Sequence, residues 1–431
     1  LDVAVRKSNL KAFEKAVLKW EKPLCDALWA DLHKSYEEAY MTEISILLGE
    51  IRTHIRKIGK WTRDTCVPTP LKMFPSMSRI ISEPLGTALI ISPWNYPVQL
   101  LLTPLVGAIS AGCTAVLKPS PYVPNVSKVI EDMIADTFPE DYVAVTQGHR
   151  DVNAALLEER WDIIFFTGSP SLGRRVMTAA AKYLTPVVLE LGGKSPCIID
   201  KDADINVAAK RVAWGKTLNA GQTCIAPDYL MVHEDVKARF LEALGKSFTE
   251  LLGKNPQESG HFVRVVNDAA FERLTGYFKD GNIVFGGHTD KAERYIEPTI
   301  LDNVSPDSPV MQEEIFGPIF PVLTFRNISE VTEFVTSREK PLALYYFGKN
   351  GDYVLKHTSS GGSCLNDTIM HIANEHVPFG GVGMSGMGSY HGKLSFDAFT
   401  HYRSNIVTPT SVDLPFRYMP YKFFKMVKSL L

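Results

Sequence analysis

The chain has 431 residues, 45% of them hydrophobic and 22% charged, which excludes disorder, collagen-like repeats and a disulfide mini-scaffold. At roughly 150 residues per domain this length suggests about three domains with a sizeable buried core. Lys plus Arg total 46 against 48 Asp plus Glu, a net charge of -2, so no nucleic-acid surface is indicated. The six cysteines form no Cys-x-x-Cys pair and read as free thiols in a reducing, cytoplasmic compartment.

Asp2, Arg6, Lys7 and Lys11 speak against a secretory signal, and the missing initiator Met points to absent N-terminal residues. Over residues 8–60, Leu10, Phe13, Val17 and Leu18, then Ile44, Leu47, Leu48 and Ile51, recur at helical spacing. Pro68, Pro70 and Pro75 mark an irregular crossing into residues 79–82. Residues 84–117 carry no charge, a stretch long enough to suggest a membrane span. Pro84, Pro93, Pro97 and Pro104 interrupt it, with Trp94, Asn95 and Tyr96 in its middle. It is therefore read as a strand (86–92), a loop, a buried helix (98–111) and a strand (114–117). Helices near 126–137, 152–159 and 172–183 then alternate with strands at 142–146, 163–166 and 187–191. A second series follows: strand 197–199, helix 205–218, strand 229–232, helix 236–252. This alternation predicts a mainly parallel sheet covered on both faces, in two tandem α/β units.

Several segments carry candidate chemistry. Cys224 lies in GQTCIAP, between Gly221 and Pro227, just after a helix ends. A buried Cys is usually an inert small hydrophobe, but a loop on a rigid scaffold is where function concentrates. Glu190, in LELGGKSP, ends an apolar strand. It is either a solvated turn residue or an acid at the carboxyl edge of the sheet, with a raised pKa suited to a general base. Asn95, in PWNYP, follows a strand to the same edge and is either a turn former or a donor to a developing oxyanion. FTGSPSLG opens a helix after a strand, which favours an anion, although it is not the G-x-G-x-x-G fingerprint. Lys118, in VLKPSP, ends another strand and suits a ribose or phosphate, or is a plain surface lysine. PFGGVGMSGMG, with neither strand before it nor helix after it, is read as a structural loop. His233 and Glu234 lack metal-site spacing, so no metal is expected.

Taken in order and spacing, PWNYP, FTGSPSLG, LELGGKSP, GQTCIAP, EEIFGP and PFGGVG closely resemble the aldehyde dehydrogenase superfamily over nearly the whole chain. SSGGSCLNDTIMH and AAAKYLTPVVLELGGKSP look most like its class 3 branch of medium-chain, aromatic and fatty aldehyde dehydrogenases. The resemblance implies an α/β fold with a variant Rossmann NAD(P)-binding domain (1–65 and 86–190) and a catalytic domain (191–394). A small bridging and oligomerisation element with the tail (66–85 and 395–431) completes it. It implies Cys224 as nucleophile, Glu190 as general base and Asn95 as oxyanion donor, with NAD or NADP as cofactor. Gly168, Ser169, Pro170, Ser171, Leu172 and Gly173 would lie against the dinucleotide. Lys118 would meet the adenosine ribose, Glu314 the nicotinamide ribose, and Phe316 and Leu191 the nicotinamide surroundings. Tyr96, Trp214, Leu218, Thr223 and Met370 match positions of the substrate tunnel.

Pro121 stands three residues after the Lys, where many members carry an acid that chelates the ribose hydroxyls, so NADP acceptance is expected beside NAD. The apolar tunnel positions point to medium or long aliphatic and aromatic aldehydes. A homodimer is implied by the resemblance. The tail (414–431) interleaves aromatics with Arg417, Lys422, Lys425 and Lys428. It is too short and charged to span a membrane, and packing on a dimer partner or over the substrate entrance is preferred to contact with a membrane surface. Two alternatives remain: a coenzyme A-acylating dehydrogenase, against which Glu190 argues, and a non-catalytic dimeric protein that kept the fold. A cysteine hydrolase would need a His near Cys224, and none is near in sequence.

Overall fold

In a computed structural model describing residues 2–430, two mainly parallel sheets and one small antiparallel sheet carry the architecture. Leu1 and Leu431, the ends of the expected first and last segments, lie outside the described residues.

The first sheet takes the order Gly386–Met387, Val187–Glu190, Ile163–Thr167, Thr87–Ile91, Thr114–Lys118, Val143–Val145. Successive strands leave the central Thr87–Ile91 strand first to one side and then to the other. That reversal is the switch point at which open α/β sheets leave a crevice beyond the strands' carboxyl ends. Ile91 pairs with both Lys118 and Phe166, and Thr167 pairs with Glu190, so the loops after four strands open along one edge.

The uncharged stretch is a buried helix. Every residue of Gln99–Ala111 is inaccessible, and the Gly112 cap in the left-handed region closes it. A helix apolar on all faces belongs inside a large core, and here the Val3–Leu32 and Ser45–Trp61 helices pack over it. These N-terminal helices are joined by a short turn, Tyr36–Ala39, and a π-turn, Tyr40–Ile44, a device common at functional sites.

The second sheet runs Asn282–Phe285, Thr299–Asp302, Ile319–Phe325, Tyr229–His233, Pro196–Ile199, Ala343–Phe347, Gly362–Leu365, and its Asn282–Phe285 edge strand is antiparallel. The third sheet pairs Thr65–Val67, Met77–Pro84 and Thr400–Val407. Among the described residues no helix is long and apolar enough to cross a membrane.

The Gly-rich stretch departs from its reading as a strandless loop. Gly386–Met387 adds an antiparallel strand to the first sheet, placing Gly386 opposite Glu190 and Met387 opposite Leu189, while the Leu191 N–H donates to the Ser385 carbonyl (3.1 Å). Two residues are too few to show a period-2 pattern, so the sequence carries no trace of this strand. Gly386 sits at φ 144, and a Cβ there would run into the Leu189 carbonyl. Gly386→Ala should therefore destabilise the protein by about 1–3 kcal/mol through backbone strain and clash. It should also lower kcat by loosening the Glu190 strand, as read by urea denaturation and steady-state assay.

Candidate active site

Cys224, Glu190 and Asn95 converge although they come from two separate loops and the end of a strand. Cys224 and Glu190 line two cavities at once. One is a cleft of about 1040 Å³ that also holds Asn95, Glu314 and Phe316. The other is a cavity of about 600 Å³ lined by Tyr96, Trp214, Leu218, Thr223 and Met370, so all five tunnel positions are brought together. Gly168, Ser169 and Ser171 lie where the cleft meets a further cavity of about 910 Å³ that takes in Lys118, Pro121 and Leu172. Pro170 and Leu191 line the cleft. Gly173 does not: it is buried beneath the loop, where a Cβ would press on Leu191. Lys118 is only 1% exposed and donates to the Pro119 carbonyl (2.8 Å), so it is no free surface lysine. No residue after His391 lines the 600 Å³ cavity, and after the half-buried Leu414 the tail is exposed wherever its burial is described.

The loop that carries Cys224 is built against local preference. After the Ile205–Thr217 helix, Asn219, Ala220 and Gly221 are all left-handed, at φ 51, 52 and 71. For the two non-glycine residues this costs roughly 1–2 kcal/mol each, so the surroundings must impose it. They do so through side chains. The Asn219 N–H donates to Glu38 (2.8 Å), and its amide Nδ2 donates to the carbonyls of Asn95 (3.0 Å) and Gln222 (2.9 Å). Gln222 in turn donates to the carbonyls of Asn219 and Arg264 and accepts from Val266 N–H. The Asn95 Nδ2 donates to the Gln222 carbonyl (3.0 Å), which leaves its second N–H for a ligand oxygen.

Lys34 anchors the Asn95 loop from behind. Fully buried, its ammonium donates to Glu43 (2.7 Å) and to the Asn95 carbonyl (3.1 Å), and lies 4.2 Å from the Tyr96 ring centroid. The other Glu43 oxygen accepts from Val98 N–H (2.8 Å) at the start of the buried helix. Lys194 holds the opposite loop in the same way. It pairs with Asp228 (2.5 Å) and donates to the carbonyls of Val310 and Glu313, while Asp228 accepts from Ile315 N–H, which fixes Glu314 between them. Phe316, at φ 51, meets Trp94 edge to face at 5.4 Å across the cleft.

The electrostatics follow from burial. Glu190 is 3% exposed, neither of its carboxylate oxygens has a protein partner, and desolvation pushes its pKa well above the ordinary value. Burial, helped by the nearby Asp228 charge, raises Glu314 to about 8. Burial, then the charges of Glu314 and Glu190, push the Cys224 thiol up. The arrangement offers a thiol, a base poised above the usual carboxylate range and an amide donor beside an apolar cavity.

The cleft fits a dinucleotide on its own features. The Pro170–Ala181 helix, capped by Ser169, presents its N-terminus there, and Gly168 has no side chain to obstruct approach. At the Cys224 end, Gly192 passes so close to the Glu314 carboxylate that a Cβ would collide with it. Among the described residues no His/Cys/Asp/Glu group could hold a metal ion.

Lys34, Glu38, Glu43, Asn219, Gln222, Lys194 and Asp228 were not singled out from the sequence. A lysine at a helix end carries no local mark of burial, and of the seven only Lys194, inside LELGGKSP, and Gln222, inside GQTCIAP, stood in recognised segments.

The sequence model of the aldehyde dehydrogenase family matches residues 1–405. The chain is 48% identical to the 4,4'-diaponeurosporen-aldehyde dehydrogenase of Staphylococcus aureus, over 99% of this chain and 95% of that protein. It is 43% identical to the dimeric NADP-preferring aldehyde dehydrogenase of Canis lupus familiaris, over 96% of this chain and 93% of that one. A substrate-bound structure of Staphylococcus aureus AldH superposes with a TM-score of 0.98 at 48% identity, covering 100% of this chain and 95% of that one.

Removing one partner of a buried ion pair strands the other charge, at a typical cost of about 3–5 kcal/mol. Lys34→Met should therefore destabilise by about that amount in urea denaturation, and Lys34→Met with Glu43→Gln should recover part of the loss.

Proposed function

The chain belongs to the aldehyde dehydrogenase family, close to its class 3 branch, and is an NAD(P)-dependent oxidoreductase that oxidises an aldehyde; on that footing we propose which residues do the chemistry and on what substrate. Cys224 is the nucleophile, Glu190 the base and Asn95 the oxyanion donor. The observation that carries this is the position of Cys224 and Glu190 in the shared wall between the dinucleotide-shaped cleft and the apolar cavity.

An aldehyde has no hydride to give until it becomes tetrahedral. The Cys224 thiol gives its proton to water in the cavity as its sulfur adds to the carbonyl carbon, forming a thiohemiacetal. The free Asn95 N–H and the Cys224 backbone N–H stabilise its oxyanion, and one such donor is typically worth about 10²–10³ in rate. A nicotinamide dinucleotide would supply the hydride acceptor, and residues 168–172, Lys118 and Glu314 would hold it. The resulting thioester is hydrolysed by water that Glu190 deprotonates. The high resting pKa of Glu190 suits this work, because a base nearer neutrality drives proton transfer better than an ordinary carboxylate.

The cavity selects medium or long aliphatic and aromatic aldehydes. Trp214, Leu218, Ile369, Met370 and Phe379 give it apolar walls, and the name of the Staphylococcus aureus relative points to a long apolar aldehyde as well. A homodimer is supported by the Thr400–Val407 strand, whose outer edge has no partner strand among the described residues and whose Tyr402, Ile406 and Val407 are exposed. We place the protein in the cytoplasm, where free thiols such as Cys25, Cys113 and Cys197 stay reduced.

Reduced nicotinamide formed from hexanal, with and without coenzyme A, tests the chemistry. Wild type should turn over equally in both, Cys224→Ala should give no product, and hexanal should exceed succinic semialdehyde in kcat/KM. A coenzyme A requirement would favour the acylating alternative, and product from Cys224→Ala would overturn the mechanism.

Pro121 lines the cavity holding Lys118, together with Arg150 and Arg175, so a 2′-phosphate meets cations there, with Asp151 opposing them. The kcat/KM values for NAD and NADP should lie within a thousandfold of each other, and a larger preference for NAD would refute NADP use.

A further inference from the structure

The substrate cavity has one polar wall that its apolar cargo does not explain. Gln99, Thr167, Glu190, Tyr390, His391 and Glu50 all line it. Gln99 Nε2, Thr167 Oγ1, both Glu190 oxygens, the Tyr390 hydroxyl and His391 Nε2 are buried there without a protein hydrogen-bond partner. Each such orphan is costly if left dry, and a roomy site with several converging polar groups is where water is held. The Gln99 amide lies beside the Tyr390 hydroxyl, near enough to be felt but outside hydrogen-bond geometry.

Behind this wall stands a satisfied ionic cluster. Glu50 accepts from Gly392 N–H (2.9 Å) and from Ser395 Oγ (2.7 Å), pairs with His54 Nε2 (3.1 Å), and faces His391 Nδ1 at 3.7 Å. Burial alone would raise the Glu50 carboxyl, but the hydrogen bonds and charges of His391 and His54 hold it well below the ordinary range. His391, which lines the cavity, thus has Nδ1 close to a carboxylate and Nε2 buried without a protein partner. The Tyr390 ring stacks on the His391 ring at 4.1 Å, and its phenol feels the charges of Glu190 and Glu50.

We propose that Tyr390, Gln99 and His391 are positioning residues that hold water against Glu190 and carry its proton away, with Glu50 balancing the charge on His391. This rests on Glu190 being the hydrolytic base. Water gives its oxygen to the thioester carbon and one proton to Glu190. The carbon–sulfur bond breaks, and the electron pair leaves with the Cys224 sulfur. The proton passes from Glu190 through water held by Gln99 and Tyr390 to Nε2 of His391. From His391 it returns to the Cys224 sulfur and restores the thiol, the acid leaves with the other proton of the water, and Glu190 is again a carboxylate.

Rapid mixing of hexanal and NAD with wild type, Tyr390→Phe, His391→Gln and Glu190→Gln tests this. Tyr390→Phe keeps the ring that packs on Phe165, Phe379 and His391, so it decides the matter if His391→Gln fails to fold. Both relay variants should form one equivalent of reduced nicotinamide per site at the wild-type rate. They should then turn over about tenfold to a hundredfold more slowly, with a larger solvent deuterium isotope effect on kcat. An unchanged kcat in Tyr390→Phe, or a first-turnover rate that falls in step with kcat, would overturn the relay. Glu190→Gln separates the two ideas. If it shows the first turnover and then stalls while Tyr390→Phe behaves as wild type, only the relay fails; if it shows no first turnover, the role given to Glu190 falls.

Discussion

A buried ammonium holds this site together. Lys34 has no access to water, and the desolvation of its charge is offset only where Glu43, the Asn95 carbonyl and the Tyr96 ring meet it. Three elements are fixed by that one contact: the first helix end, the PWNYP loop and the start of the buried helix, whose Val98 N–H shares Glu43. Asn95 passes the constraint on through Asn219 and Gln222 to the loop that carries Cys224. Lys194 repeats the device around Glu314. Charge placed where water cannot screen it does what loop propensity could not, because it makes a strained loop the lowest-energy arrangement.

The same exclusion of water sets the chemistry. Glu190, Glu314 and Cys224 all have their neutral forms favoured by burial, and the charges acting on the thiol are carboxylates. Each of these groups therefore holds its proton more tightly than it would in water. An oxyanion formed beside Cys224 would find the second N–H of Asn95 without a protein partner. Preorganised donors cost nothing in rearrangement at that moment.

The alternation of apolar strands and helices was legible because period and length suffice to identify both. The expected strand at 114–117 and helix at 205–218 fall within a residue of Thr114–Lys118 and Ile205–Thr217. The uncharged stretch could be told from a membrane span by its prolines, since Pro93 and Pro97 bracket the loop between strand and helix. Cys224, Glu190 and Asn95 were legible as strand-edge and loop positions, and their segments carried the family resemblance. What stayed hidden was long-range. No local pattern tells that Lys34 is buried, that Glu50 gathers two histidines, or that Tyr390 lines the same cavity as Glu190. These depend on contacts between residues hundreds of positions apart, as between Glu50 and Gly392.

The two-residue strand at Gly386 and Met387 has a further meaning for the chain as a whole. The segment that completes the first sheet is made after the second sheet, so the strand bearing Glu190 stays an open edge until nearly the whole polypeptide exists. Neither half is a self-contained module. A fragment ending before residue 378 would expose that edge to other chains, which makes synthesis of the last fifty or so residues the step that commits a nascent molecule to activity rather than aggregation.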